Sequence, residues 1–274
     1  MVVGTFFQEI SDSIGKRQVN THKQSPYTMA FLSIFWGAIL FFLIGVIKAD
    51  GFIFKAASLP TFTIRATLEI LQLYFTIFAV VKADRSTFNF IRTATIPLLF
   101  LIDLALGYKI GLWPMIGMTT IIVTLIFLFS SNKIKKIGAG LVTFTAMNAV
   151  ITISLFKYDI TYYNSVAAEQ LIIYLILLLF AFLISIIKAK ENPLVMLFKK
   201  RIFFLQSLTT GVGGVAESFA FNYGAASIIM AAKRSSAIFW SIVSGKKYFK
   251  EKYLLTKILI FGLLLIGLVL LAFN

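Results

Sequence analysis

Long apolar runs, broken by short polar punctuation, fill this chain from end to end. Ten runs stand out: about residues 2–19, 26–48, 61–81, a run after the connector 82–85 that carries Arg92, Pro97 and Asp103, then 112–130, 137–156, 163–187, 202–223, a run from 225 that carries Lys233 and Arg234, and 254–273. A bilayer takes about 20 helical residues to cross. Lipid offers backbone groups no partner outside their own segment, so the pattern predicts helices throughout. A membrane barrel would instead show short segments of alternating character, and none are present. Pro26 opens the second helix and Trp113–Pro114 the fifth, while the basic stretch 188–201 reads as the longest loop.

The polar positions inside these runs are not scattered. Glu9, Asp12 and Lys16 fall at i, i+3 and i+7, hence on one helical face, and within a bundle that face is expected to line an internal cavity. Arg65, Glu69 and Gln72 share a face of the third helix in the same way. Thr145, Asn148 and Thr152 repeat the first helix's face in the sixth, about 136 residues later, without its charges. Gln206, Thr210, Gly213 and Glu217 form a stripe on the eighth. The glycine run at 211–214 superficially resembles a phosphate loop, but no strand precedes it, so it reads as small-residue helix packing.

The stretch 225–274 pairs two apolar helices around the basic connector GKKYFKEK, and 84–129 is a weaker copy of it. Laying Arg92 on Arg234 sets an offset of about 142 residues and brings the helix pairs into line. The chain therefore reads as two five-helix repeats, 1–131 and 132–274, inverted because each holds an odd number of crossings.

Composition narrows the class. Hydrophobic residues make up 59% of the chain and charged ones 14%, where a soluble domain would carry about a quarter. Mean hydropathy is +0.92. These values predict an all-α polytopic membrane protein of ten helices. Cysteine is absent and His22 is the lone histidine, so no disulfide, thiol site, metal centre or cofactor is expected. The net charge of +15 comes from basic residues at helix ends, which points to the lipid bilayer as partner and not to nucleic acid. The first residues lack a basic n-region and an unbroken apolar core, so a cleavable signal peptide is not expected. No HExxH, GxSxG or Walker pattern is present, and no enzyme is expected.

Charge inside the bilayer costs at least about 2.5–3.5 kcal/mol per residue, so the buried set carries the information. Two readings stand. The charges pair with one another (Glu9 or Glu69 with Arg92, Glu217 with Lys233 or Arg234), or they line a wet central cavity. Arg65, close to a predicted end, is expected to snorkel. The candidate substrate-binding or coupling residues are Glu9, Asp12, Glu69, Gln72, Arg92, Asn148, Glu217, Lys233 and Arg234.

In its last helix pair the chain resembles the EamA-type members of the drug/metabolite transporter superfamily. Gly245, Phe249, Glu251 and Lys252 look like that family's G-x-x-x-F-x-E-K, Gly267 like its later helix glycine and Pro97 like its helix-4 proline. The first half departs from the pattern, since GYKIG stands where a second glutamate is expected. The resemblance implies alternating access, with two inverted halves rocking about a midplane cavity lined by helices 1, 3, 4, 6, 8 and 9. It implies a small polar metabolite as substrate, an amino acid or another carboxylate-bearing molecule. Arg92, Lys233 and Arg234 would supply positive field, and Glu9, Asp12 or Glu69 a coupled proton. The implied location is the cell (inner) membrane of a prokaryote, with oligomeric state open. A non-transporting scaffold or a passive pore is the rival reading. Basic residues follow the odd-numbered helices, among them Lys16, Arg17, Arg85, Lys199, Lys200, Lys246 and Lys247. Only Lys48, Lys55, Lys109 and Lys157 follow the even ones. That bias places both termini outside the cytoplasm, whereas the resembled family implies both inside.

Overall fold

A computed structural model describes residues 2–48, 51–105, 111–130 and 137–272. The connector 132–136, most of the GYKIG stretch, Asp50 and Asn274 lie outside the described residues. Twelve α-helices follow one another among the described residues: α1 (Val2–Asn20), α2 (Pro26–Ile47), α3 (Leu59–Lys82), α4 (Arg85–Arg92), α5 (Thr95–Ala105), α6 (Leu112–Ser130), α7 (Ala139–Tyr162), α8 (Val166–Ile184), α9 (Pro193–Lys199), α10 (Arg201–Ala220), α11 (Ala226–Phe249) and α12 (Leu254–Ala272). No strand occurs among the described residues. Seven spans among the described residues are long and apolar enough to cross a membrane, counting α4–α5 as one, and α6 contains the further apolar stretch Leu112–Phe127. This architecture is compatible with an integral membrane protein.

Local chemistry sets the helix ends. Ser25 caps α2, its hydroxyl accepting from the Thr28 amide, and Pro26 occupies the first helical position, where a missing N–H costs nothing. The basic stretch after α8 is not the loop its sequence suggests. A π-helical turn at Ser185–Ala189 leads to α9, which Asn192 caps through the Leu194 and Val195 amides.

The fourth predicted helix is broken in two. Pro97 has no N–H to give the Thr93 carbonyl, and its ring crowds that oxygen. The backbone tightens instead: Ala94 bonds Ile91 at 3.0 Å and Ile96 bonds Thr93 at 3.0 Å, so α4 ends at Arg92 and α5 begins at Thr95.

Neither α1 nor α10 is among the seven spans. They pack on each other, which keeps their polar atoms out of lipid. Ser11 donates to the Gln206 carbonyl at 2.8 Å and bonds the Thr210 hydroxyl, and Gln8 Nε2 donates to Glu217 Oε2 at 3.0 Å. The glycine run of α10 explains how four helices come this close. A Cβ at Gly211 would meet Gly37 of α2 at 2.7 Å, one at Gly213 the Gly4 carbonyl of α1 at 2.7 Å, and one at Gly214 the Tyr174 hydroxyl of α8 at 2.8 Å. Small residues here serve packing, as the sequence predicts.

Elsewhere α2 lies between α8 and α10, α3 against α7, α4 and α5 against α11 and α7, α1 also against α11, and α6 against α12. Two helix N-termini are capped across the chain. Asp103, on α5, accepts the Ser227 amide at the start of α11 at 3.0 Å. Glu251, just past α11, accepts the Arg85 amide at the start of α4 at 2.6 Å and the Ser86 hydroxyl at 2.5 Å. Each carboxylate takes one first-turn amide, a group with no partner in the helical ladder, and each sits at the positive end of a helix dipole.

Candidate functional site

A polar cavity of about 260 Å³ lies within the bundle. Its wall comes from α2, α3, α7, α8, α10 and α11, with Arg92 projecting from the broken end of α4. Four basic side chains line it (Arg65, Arg92, Lys233, Arg234) and two acidic ones (Glu69, Glu217). The face Arg65–Glu69–Gln72 read from the third helix is on this wall, as are Arg92, Glu217, Lys233 and Arg234. Asn148 stands directly behind it, donating to Gln72 Oε1 and to the Leu68 carbonyl, both at 2.9 Å.

The charges divide into paired and unpaired. Lys233 is ion-paired to Glu217, whose other oxygen takes the Gln8 amide. Arg65 bonds Glu169 at 2.6 Å and Gln170 at 2.9 Å, and its guanidinium lies 4.4 Å from the centre of the Phe156 ring. It is 2% exposed and does not snorkel, because Glu169 one turn into α8 holds it inside. Glu69 lies 3.8 Å from Arg65, one turn away on the same helix.

Arg92 and Arg234 are different. No carboxylate pairs with either among the described residues, and Arg92 Nε and Arg234 Nε and Nη2 are buried with no hydrogen-bond partner. Removing one partner from a buried pair leaves a charge that costs about 3–5 kcal/mol. Two such cations in one cavity have the chemistry to take an anionic group, and a guanidinium can hold a carboxylate through two parallel hydrogen bonds.

Glu9 and Asp12 are not at this cavity. The polar face of α1 meets the start of α4 instead. Arg85 Nη2 bonds Glu9 Oε2 and Asp12 Oδ2, both at 2.8 Å, and Arg85 Nε bonds Glu9 Oε1 at 3.0 Å. Ser13 and Ser244 also donate to Glu9 Oε1, at 3.0 and 2.5 Å. Lys16, on the same face of α1, gives its ammonium to the Ala83 carbonyl. Three expectations are thereby corrected. Glu9 pairs with Arg85 and not Arg92, α1 does not line the cavity while α2 and α8 do, and Lys16 and Arg85, counted with the basic connectors, are buried. The physical reason is the tight turn at Ala83–Asp84, which starts α4 where Arg85 reaches the acidic face of α1.

Around Glu251 the same end of the bundle is closed. Burial raises its carboxyl pKa, but hydrogen bonds from Lys257 (2.7 Å) and Ser86, the Lys257 charge and the Arg85 amide outweigh it and hold the group below its usual value.

The sequence reading missed Arg85, Gln170, Tyr174 and Ser218. Gln170 and Tyr174 lie at i and i+4 on α8 and both line the cavity, a spacing that could have flagged them. Ser218 follows Glu217 and accepts the Gln170 amide at 2.8 Å. Trp36 and Trp240 pack on other aromatic rings, Phe204 at 5.3 Å and Phe6 at 4.7 Å, and neither lines the cavity. No group of three or more His, Cys, Asp or Glu fit to hold a metal occurs among the described residues. The chain matches no family model and no curated protein.

Proposed function

We propose that this protein is a secondary active transporter that moves a small carboxylate-bearing metabolite by alternating access. One observation carries the reading: Arg92 and Arg234, which the repeat reading lays on each other, line one cavity, and neither has a carboxylate partner among the described residues. A substrate carboxylate supplies the missing charge. The cavity is smaller than the roughly 300–1,000 Å³ typical of sites for drug-sized ligands, which suits a small metabolite. Arg92 sits at a helix break, and discontinuous helices build the midplane sites of inverted-repeat carriers.

The helix pairings support a ten-helix inverted repeat, with α4–α5 counted as one helix and α9 as part of a connector. Exchanging the halves turns the α1–α10 contact into α7–α3, and pairs α2 with α8, α4–α5 with α11 and α6 with α12. The two crossed carboxylate caps exchange as well, with Asp103 standing in for the glutamate absent from GYKIG. These features agree with the EamA-type resemblance. Within this reading Arg92 and Arg234 hold the substrate carboxylate, and Lys233–Glu217 is an ion pair the substrate opens. Glu69 replaces Glu9 and Asp12 as the proton-coupling candidate, because it lines the cavity while they hold Arg85.

A thermal-shift screen of the purified protein against amino acids, organic acids and nucleotides identifies the ligand, which is expected to be a carboxylate. Arg92→Gln and Arg234→Gln are then measured in liposomes. Each should weaken apparent affinity at least about tenfold, the equivalent of 1.4 kcal/mol, with the fold intact. Wild-type affinity and rate in both variants would remove the arginines from the site. Unsaturable flux, or no flux, would support a pore or a scaffold.

A further inference from the structure

A second cavity, of about 480 Å³, lies between α1 and α11 and is separate from the central one. Its side walls are apolar: Phe6, Ile10 and Ile14 from α1 face Val243 from α11. One end is basic. Arg17 in the last turn of α1 and Lys247 in the last turn of α11 flank it, both exposed and neither in an ion pair among the described residues. The one acid on the wall, Glu9, is already neutralised by Arg85 and bonded by Ser13 and Ser244. The groove thus has the polarity of an amphiphile with an anionic head.

Its length fits one leaflet. From Phe6 to Arg17 the helix rises about 16 Å at roughly 1.5 Å per residue, about half of a hydrocarbon core of roughly 30 Å. Helix ends bearing Arg17 and Lys247 then stand at headgroup depth, where basic residues meet anionic lipid.

We infer that this groove is a binding site for one anionic phospholipid, its acyl chain lying between α1 and α11 and its phosphate held by Arg17 and Lys247. The site does not depend on the transport reading. A lipid seated there touches the wall that carries Glu9 and Ser244, beside the contact that ties α1 to α11.

Native mass spectrometry of the detergent-purified chain tests this, with phosphatidylglycerol and phosphatidylcholine of identical acyl chains titrated in parallel. The wild type should retain phosphatidylglycerol with at least about tenfold lower apparent Kd. Arg17→Gln/Lys247→Gln should abolish the preference, while Lys199→Gln/Lys200→Gln, at another basic edge, should leave it unchanged. Val243→Trp fills the groove from an exposed position and should weaken retention of both lipids. Equal retention by the wild type overturns the proposal. So does a preference that survives Arg17→Gln/Lys247→Gln, or one that falls equally when Lys199 and Lys200 are replaced.

Discussion

Replacing Gly245 by alanine tests why a glycine stands six residues before Glu251. A Cβ on Gly245 would lie 2.7 Å from both Cδ and Oε2 of Glu251, where ordinary contact begins at 3.4 Å. A free carboxylate would step aside cheaply. This one is held by the Arg85 amide, the Ser86 hydroxyl and the Lys257 ammonium at 2.5–2.7 Å, so any retreat stretches bonds at the N-terminus of α4. Neutral interhelical hydrogen bonds in bilayers average about 0.6 kcal/mol, but charge-assisted ones contribute about 1.5–3 kcal/mol each. Partial loss of these bonds puts the strain at about 2 kcal/mol. Alanine inside a helix returns about 1 kcal/mol over glycine, leaving a net loss of about 1 kcal/mol. In a Glu251→Ala/Lys257→Met background the clash is absent and Lys257 is not stranded, so Gly245→Ala should be neutral or stabilise by up to about 1 kcal/mol. The destabilisation is thus confined to the background that keeps Glu251. Reversible unfolding in mixed detergent micelles, run as a double-mutant cycle, measures both. The same sign and size in the two backgrounds would refute the argument.

Two further outcomes follow from the charged end of the bundle. Arg85→Met strands Glu9 in a buried position and should cost about 3–5 kcal/mol, most of it recovered in Arg85→Met/Glu9→Met; a double variant no more stable than the single one would show that the pair is not the cause. The folded-state pKa of Glu251 lies below its usual 4.5, so its contribution is complete above that value and fades as pH falls through the lower, folded value. The difference in melting temperature between wild type and Glu251→Gln should accordingly hold steady from about pH 7 to pH 5 and narrow below about pH 4.5.

The helical frame was legible because membrane runs are long and their punctuation is chemical. Pro26 and Leu112 mark starts where the structure has them, and α6 and α12 begin where the apolar pattern does. The face Arg65–Glu69–Gln72 was legible too, since helical spacing fixes which residues share a side. Spacing does not say what that side meets. Glu9, Asp12 and Lys16 share a face as firmly as the α3 set, yet theirs meets the start of another helix and not a cavity. Arg85 was hidden for a related reason: beside Lys82 and Asp84 it reads as a surface turn, and only the folded chain carries it to Glu9 and Asp12 of α1, where it is buried. Pro97 was noted but not used to break the helix, although a missing amide at that position forecasts it.

The crossed caps also set an order in time. A ribosome adds about 5–20 residues per second. When the start of α11 emerges, its cap Asp103 was made 124 residues earlier and is waiting. The start of α4 has no such provision, because Glu251 follows Arg85 by 166 residues, or roughly 10–30 s of synthesis. For that interval the first amides of α4 must be served by water or headgroups at the membrane edge, with only Glu9 and Asp12 already in place to hold Arg85. A chain cut short before Glu251 would thus leave the start of α4 without its cross-chain cap.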